Sequence, residues 1–246
     1  MNSSNRREIV KVEKLKLYYD NLLIVEGVSF SLYKGEVLSL IGPSGCGKTS
    51  IIKAIAGLIP FEGNVELKEK ALGYMPQKGV LFDWMKLKDN LALPLLLKGK
   101  TKKEAYKSFE KLLKEFGLSG FENYYPFQLS GGMAQRASLL RTILTGAKIL
   151  LLDEPFASLD AITRRRLQIW LRGVFERLNL SSLLVTHDLQ EAIFLSDRIL
   201  VLGGTPTNIL KEVKIKLKGS RNALAFSSDD FKLLEKELLQ ALELLS

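Results

Sequence analysis

Short apolar segments alternate along the chain with segments in which apolar residues recur at helical spacing. Val37–Ile41, residues 149–152 and residues 182–186 are apolar runs with the length of a buried strand. Residues 50–58 and Ala161–Leu178 instead have helical character. Because strands that alternate with helices pair in parallel and are covered on both faces, we predict an α/β domain built on a largely parallel sheet.

The N-terminal part of the chain has a different pattern. Apolar residues in segments 10–19 and 28–32 predict short strands, and Asp20 and Asn21 supply the turn between them. We expect these strands to be antiparallel, in an otherwise largely parallel mixed sheet.

A region of helical spacing interrupts the alternation of strands and helices. Over residues 88–145, apolar side chains recur at helical spacing between Lys and Glu residues. We therefore predict an inserted helical subdomain there, within a core formed by residues 1–87 and 146–246. The apolar stripe from Phe231 to Leu245 predicts that this core ends in a helix.

A glycine-rich loop joins the predicted strand Val37–Ile41 to the helix that follows it. The loop matches the pattern G-x-x-x-x-G-K-[ST] of a phosphate-binding loop, and with the adjoining Ser50 its residues form the predicted nucleotide-binding set: Gly42, Pro43, Ser44, Gly45, Cys46, Gly47, Lys48 and Thr49. Glycine lets backbone N–H groups converge on phosphate, and the following helix directs its positive dipole end at the anion. Lys48 can neutralise the β- and γ-phosphates, and Thr49 can offer its hydroxyl to Mg²⁺. A chance glycine-rich turn is the alternative, but the strand before the loop and the helix after it favour ATP binding.

Two carboxylates come directly after the apolar run of residues 149–152. Asp153 and Glu154 would emerge at the carboxyl edge of the sheet, where open α/β folds bind their ligands. We expect Asp153 to hold Mg²⁺ through water and Glu154 to polarise the attacking water as a general base. The alternative is that both simply begin a solvated loop.

A second helix start with glycines lies at the end of the predicted helical subdomain. Its sequence is Leu129-Ser130-Gly131-Gly132-Met133-Ala134-Gln135. The hydroxyl, the backbone N–H groups and the helix dipole would form an anion-binding end, although Ser-Gly-Gly alone also suits an ordinary helix N-cap. Beside the phosphate loop, the segment closely resembles the signature of the ABC ATPase family, which implies that Ser130, Gly131, Gly132 and Gln135 contact ATP. The resemblance covers about residues 9–203 and implies a P-loop NTPase core.

The remaining motifs of that family occur in the expected order. By resemblance, Gln77 senses Mg²⁺ and the attacking water, Asp160 belongs to the family's D-loop, and His187 contacts the γ-phosphate. Tyr19 would stack on the adenine. A structural or merely exposed histidine is one alternative, and a core position for Tyr18 or Tyr19 is another. The predicted catalytic residues are therefore Lys48, Gln77, Glu154 and His187.

The resemblance also predicts partners. In the ABC family the signature of one subunit closes over ATP on the phosphate loop of another, so one chain with one of each implies a dimer with a second copy or a close homologue. Residues 81–85 and 155–164 further resemble the ATPases of nitrate, sulfonate and taurine importers. That likeness implies an integral membrane permease, a solute-binding protein that acts indirectly, and a cytoplasmic position on the inner face of the cell membrane. A cluster-assembly ATPase remains the alternative, whereas ABC ATPases of DNA repair or translation would show a long coiled coil or two cassettes.

Charge and composition narrow this picture further. The net charge of +9 could attract nucleic acid or anionic lipid, or it could reflect a Lys-rich surface. The basic residues are scattered without aromatic interleaving, which argues against nucleic acid. No apolar run approaches the about 20 residues of a membrane span, and the first residues lack a secretory signal. Together with a single cysteine, this predicts a chain in the reducing cytoplasm that does not itself cross a bilayer.

Overall fold

The computed structural model describes residues 7–69, 71–77, 81–217 and 221–243. Within these ranges the strands are β1 (Glu8–Tyr19), β2 (Leu22–Tyr33), β3 (Val37–Ile41), β4 (Glu62–Leu67), β5 (Leu72–Met75), β6 (Ile149–Asp153), β7 (Ser181–Val185), β8 (Arg198–Gly203) and β9 (Asn208–Lys214). The helices are α1 (Lys48–Ile55), α2 (Leu87–Leu96), α3 (Lys102–Glu115), α4 (Gly131–Leu144), α5 (Ala161–Leu178), α6 (Leu189–Leu195) and α7 (Asp229–Glu243).

A central sheet in the described residues has the order β5-β6-β7-β3-β8-β9. Its strands are parallel except β9, which pairs antiparallel with β8. Every residue of β3, β6 and β7 is buried, as expected for strands covered on both faces. Because parallel strands end at the same edge, the loops after β3, β5, β6 and β7 meet there.

The N-terminal strands form a second, antiparallel sheet of order β2-β1-β4 in the described residues. The turn between β1 and β2 places Asp20 and Asn21 in the left-handed region, with φ of 45° and 70°. Apolar residues of β1 and β2 share a core with Ile51 and Ile52 of α1 and with β3. Helix α1, which follows the phosphate loop, is therefore held between the two sheets.

Helix α2 packs against both α3 and α4, and α4 packs against β5 of the central sheet. Helix α3 begins with a capping box between Thr101 and Glu104, and buries Ala105, Phe109 and Leu113. These helices occupy the stretch where the sequence predicts helical spacing. The subdomain boundaries at residues 88 and 145 stay a prediction.

The predicted fold class is confirmed, but several boundaries differ. Helix α1 ends at Ile55 instead of continuing to residue 58, because Gly57 adopts a left-handed φ of 71° and the Leu58 N–H returns to the Lys53 carbonyl. The N-terminal strands are longer than predicted, and the antiparallel pair forms its own sheet. Strands β4, β5, β8 and β9 were not predicted.

Two further expectations concern the C-terminal helix and membrane-spanning segments. The C-terminal helix is present as α7, which buries Phe231 and Leu238, while Leu245 lies outside the described residues. Among the residues that the structure describes, no helix is both long and apolar enough to cross a membrane.

Candidate active site

The loops after β3, β5, β6 and β7 bring the predicted site residues to one edge of the central sheet. Thr49 donates its hydroxyl proton to Asp153 Oδ1 over 3.1 Å. Gln77 Nε2 donates to Glu154 Oε2 over 2.9 Å, and His187 Nδ1 lies 3.3 Å from Glu154 Oε1. These side chains therefore form two hydrogen-bonded groups, which meet because Asp153 and Glu154 are adjacent in the chain.

Two positions of the phosphate loop lie so close to neighbouring protein atoms that only glycine fits there. A Cβ on Gly42 would lie 2.4 Å from the Leu202 carbonyl oxygen, and a Cβ on Gly47, where φ is 90°, would lie 2.8 Å from Val25 Cγ2. Lys48 is buried and donates to the Gly42 and Pro43 carbonyls at 2.8 and 2.7 Å. Its ammonium group thus lies within the curve of the loop.

Asp153 has the features of a cation ligand. The residue is fully buried at the end of β6, and within the described part of the chain its Oδ2 atom has no hydrogen-bond partner. Burial raises the pKa of Asp153, and the hydrogen bond from Thr49 acts in the opposite direction. A buried carboxylate oxygen without a partner is costly unless a cation or another donor satisfies it. Together with the Thr49 hydroxyl it is an oxygen donor set of the kind that Mg²⁺ prefers.

Glu154 is fixed in an uncommon backbone conformation. Its φ of 49° lies in the left-handed region, which costs a non-glycine residue about 1–3 kcal/mol and is found disproportionately at active sites. Its N–H donates to the Val185 carbonyl at 2.8 Å, and its own carbonyl accepts from Gln135 Nε2 at 3.0 Å. This conformation directs the carboxylate between Gln77 and His187.

His187 is 61% exposed in its side chain and follows β7 directly. Helix α6 begins just after it, because the Asp188 side chain caps the Glu191 N–H at 3.1 Å. The structure thus excludes a buried structural role for His187.

The aromatic candidates for adenine are on the surface. Tyr19 is 69% exposed and Tyr18 is also exposed, so the alternative of a core position is wrong for both. A cavity of about 460 Å³ lies beside the phosphate loop. Besides loop residues, its lining includes Leu22, which pairs with Tyr19 across the β1–β2 turn, and Thr207. The sequence analysis did not single out either lining residue.

The signature residues lie at the start of α4, and Asp160 lies at the start of α5. Ser130 caps α4 by accepting from the Met133 N–H at 3.3 Å, and a Cβ on Gly131 would meet nothing within 4 Å. Asp160 caps α5 through the Thr163 N–H at 2.9 Å, and this hydrogen bond lowers its pKa. In the described residues, none of the three hydrogen-bonds to the loop of residues 42–49.

A phosphate loop between β3 and α1, with carboxylates at the end of β6 in the same parallel sheet, defines an ATP-binding P-loop domain. The sequence profile of the family described as ABC transporter matches residues 25–157. The chain belongs to this family and is one of its ATPases. The family resemblance seen in the sequence is thereby confirmed.

Individual relatives cover nearly the whole chain. It is 37% identical to the aliphatic sulfonates import ATP-binding protein SsuB of Bacillus cereus, over 95% of this chain and 96% of that protein. It is 38% identical to the formylaminopyrimidine import ATP-binding protein ThiZ of Halalkalibacterium halodurans, over 85% of each chain. Among solved structures, a post-hydrolysis dimer of the ATP-binding cassette MJ0796 with ADP and Pi superimposes with a TM-score of 0.78, at 26% identity, over 85% of this chain and 99% of that one.

Proposed function

We propose that this chain is the ATP-hydrolysing subunit of an ABC importer, which dimerises around two ATP molecules and drives a separate integral membrane permease. It would lie in the cytoplasm, on the inner face of the cell membrane. The arrangement of Gln77, Glu154 and His187 at the edge of the phosphate loop carries the proposal. The import functions of the sulfonate and formylaminopyrimidine relatives support the direction of transport.

ATP would bind along the loop of residues 42–50 with its adenine against Tyr19. Lys48 would leave the Gly42 and Pro43 carbonyls for the β- and γ-phosphates, which exchanges neutral acceptors for charged ones. Thr49, Asp153 and Gln77 would hold Mg²⁺, with Asp153 acting through water. The ion supplies charge neutralisation at the β- and γ-phosphate oxygens.

Glu154 would be the general base for the attacking water. Its two carboxylate oxygens face Gln77 and His187 in this structure, so the three side chains surround one position at the sheet edge. Gln77 would orient the water, and His187 would contact the γ-phosphate. The exposure of His187 leaves it accessible to a nucleotide bound on the loop.

The signature residues at the start of α4 would serve the ATP site of a partner subunit. Ser130, Gly131, Gly132 and Gln135 surround the start of α4, whose positive dipole end suits phosphate. With Asp160, they would complete the ATP site of a second copy or a close homologue. The dimeric cassette to which this chain is similar supports that arrangement.

The permease would dock beside Gln77, on the segment of residues 80–85, of which Val80 lies outside the described residues. Trp84 is 75% exposed and contacts the Phe82 ring, with 5.0 Å between ring centroids. Buried Asn90 fixes this segment through hydrogen bonds with the Phe82 N–H and carbonyl and with the Met85 carbonyl. An exposed aromatic on a rigid support is a typical anchor for a partner. A solute-binding protein would act indirectly, and the solute would be a nitrate-, sulfonate- or taurine-like small molecule.

Replacement of Glu154 by Gln tests this function. The amide can still accept from Gln77 but is not a base, so turnover should fall by about 10²–10⁴-fold while MgATP binding is retained. A phosphate-release assay measures turnover, and size-exclusion chromatography with MgATP should show an accumulated dimer. Glu110→Gln, at an exposed position of α3, is the matched control and should behave as wild type. Wild-type turnover in Glu154→Gln would refute the role of this carboxylate.

A further inference from the structure

One buried carboxyl group near the candidate catalytic residues has no assigned task. Glu191 lies in the first turn of α6, four residues after His187, and is only 3% exposed. Among the described residues, its Oε1 atom is buried without a hydrogen-bond partner. A buried polar atom of this kind is costly unless a hydrogen-bond partner satisfies it.

A small cavity adjoins this side chain. Its volume is about 10 Å³, and its lining includes Glu191, Glu154, His187 and Ala157. A cavity needs about 10–15 Å³ and two or more polar partners to hold one water molecule. The cavity between Glu191 and the Glu154 loop meets the lower limit of that size and has polar groups on its walls.

The surrounding contacts connect Glu191 to both neighbouring loops. The Glu191 N–H donates to Asp188 Oδ1 at 3.1 Å, and the Asp188 N–H donates to the Thr186 hydroxyl at 3.0 Å. Asp188 also forms an ion pair with Arg164 at 3.4 Å. Arg164 in turn donates to the Leu159 carbonyl at 2.9 Å, in the loop between Glu154 and Asp160.

We propose that Glu191 is a positioning residue that, together with one water molecule in this cavity, joins the His187 loop to the Glu154 loop. The inference rests on the proposed function, because it gives Glu191 a task in setting the relative placement of two catalytic side chains. It acts through His187 and does not contact ATP itself.

The carboxyl is expected to act in its neutral form. Burial raises the pKa of Glu191 well above its usual range, and Asp188 adds to this effect, while Arg164 opposes it. The protonated carboxyl can then donate to the water in the cavity. Glutamine preserves this shape and can donate in the same direction, whereas methionine preserves only the volume.

The test compares Glu191→Gln with Glu191→Met in the full chain. We expect Glu191→Gln to keep kcat within about 3-fold of wild type and Glu191→Met to lower it by about 10–100-fold, because small displacements of catalytic groups have effects of this size. The KM for ATP should stay within about 2-fold of wild type in both. Turnover is normalised to ATP-binding sites, so that a less stable variant is still scored, and Glu191→Ala replaces Glu191→Met if the latter does not fold. Gln190→Met, at an exposed position of the same helix, should leave kcat unchanged.

A double-mutant cycle separates positioning from general destabilisation. If Glu191 acts through His187, then Glu191→Met should lower kcat much less in a His187→Ala background than in wild type. Equal fold-losses in both backgrounds would overturn the proposal. So would full activity of Glu191→Met, or a loss in Glu191→Gln as large as that in Glu191→Met. Glu154→Gln identifies the other failure: if it retains turnover, the proposed function itself fails.

Discussion

Arg221 holds the C-terminal segment against helix α6, and its removal should weaken the whole domain. The guanidinium donates to the Phe194 carbonyl at 3.0 Å and to the Ser196 carbonyl at 2.6 Å, both at the C-terminal end of α6. It also lies 3.4 Å from Asp197 Oδ1. The substitution Arg221→Ala therefore leaves two carbonyl oxygens without their charged donor.

The expected loss in the free energy of unfolding is the difference between two opposing contributions. Hydrogen bonds from a charged donor contribute about 1.5–3 kcal/mol each, so two of them give about 3–6 kcal/mol. Against this, burial and the neighbouring Arg172 lower the pKa of Arg221 to about 10, which corresponds to an electrostatic cost of about 3 kcal/mol for the charged form. The difference predicts that Arg221→Ala lowers the free energy of unfolding by up to about 3 kcal/mol.

Urea unfolding followed by tryptophan fluorescence measures this difference. Arg166→Ala is the control, because Arg166 is an exposed arginine on α5, and its effect should stay within about 0.5 kcal/mol. Arg221→Lys should recover part of the loss, since an ammonium can reach one of the carbonyls. If Arg221→Ala is as stable as the control, the C-terminal segment is not anchored through this side chain.

Three further predictions concern docking, the phosphate loop and pH. Trp84→Ala should change the free energy of unfolding by less than about 1 kcal/mol, because the side chain is 75% exposed. It should nevertheless reduce co-purification with the proposed permease. A large loss of stability with intact association would contradict the docking surface. Cys46 lies 3.8 Å from Lys48 Nζ within the phosphate loop, so MgATP should protect it from alkylation, and equal labelling with and without MgATP by mass spectrometry would refute this. Because the pKa of Glu191 is raised on folding, its contribution to stability is present at low pH and is lost as pH rises through the folded-state pKa. Wild type should therefore lose more stability than Glu191→Gln from about pH 5 to about pH 7, and parallel urea-unfolding results for the two proteins would show that Glu191 is not buried as a neutral acid.

The sequence was most informative where function depends on local backbone geometry. The phosphate loop could be identified because Gly42 and Gly47 permit approaches that a Cβ would block, and this requirement is visible as a fixed spacing. Strands β6 and β7, in which every residue is buried, were predicted, whereas β8, which is equally buried, was missed. The outer strands β4 and β9 were missed because one is largely exposed and the other alternates between exposed and partly buried residues, so neither forms an apolar run.

Glu191 shows what local patterns cannot predict. Asp188 and Glu191 have the spacing of a capping box, which would place the glutamate at an exposed helix start. In the structure Asp188 does cap α6, but the Glu191 carboxyl is buried beneath the His187 loop. Its burial depends on α5 and on the loop after β6, which are distant in sequence. The amino-acid pattern therefore indicates the cap, while the neighbouring elements determine the environment of the carboxyl group.

A hydrogen bond connects the start of α4 to Glu154, and this has a consequence for the proposed dimer. Gln135, near the start of α4, donates to the carbonyl of Glu154, whose left-handed backbone is fixed on its other side by Val185. In the dimer, the start of α4 would contact the ATP of the partner subunit, whereas Glu154 would serve the ATP of its own subunit. A displacement of α4 toward the partner's nucleotide would then change the hydrogen bond that holds the backbone of Glu154, the proposed general base. Occupancy of one ATP site would in this way influence hydrolysis at the other, because the hydrogen bond from Gln135 to the Glu154 carbonyl links the residues proposed for the two sites.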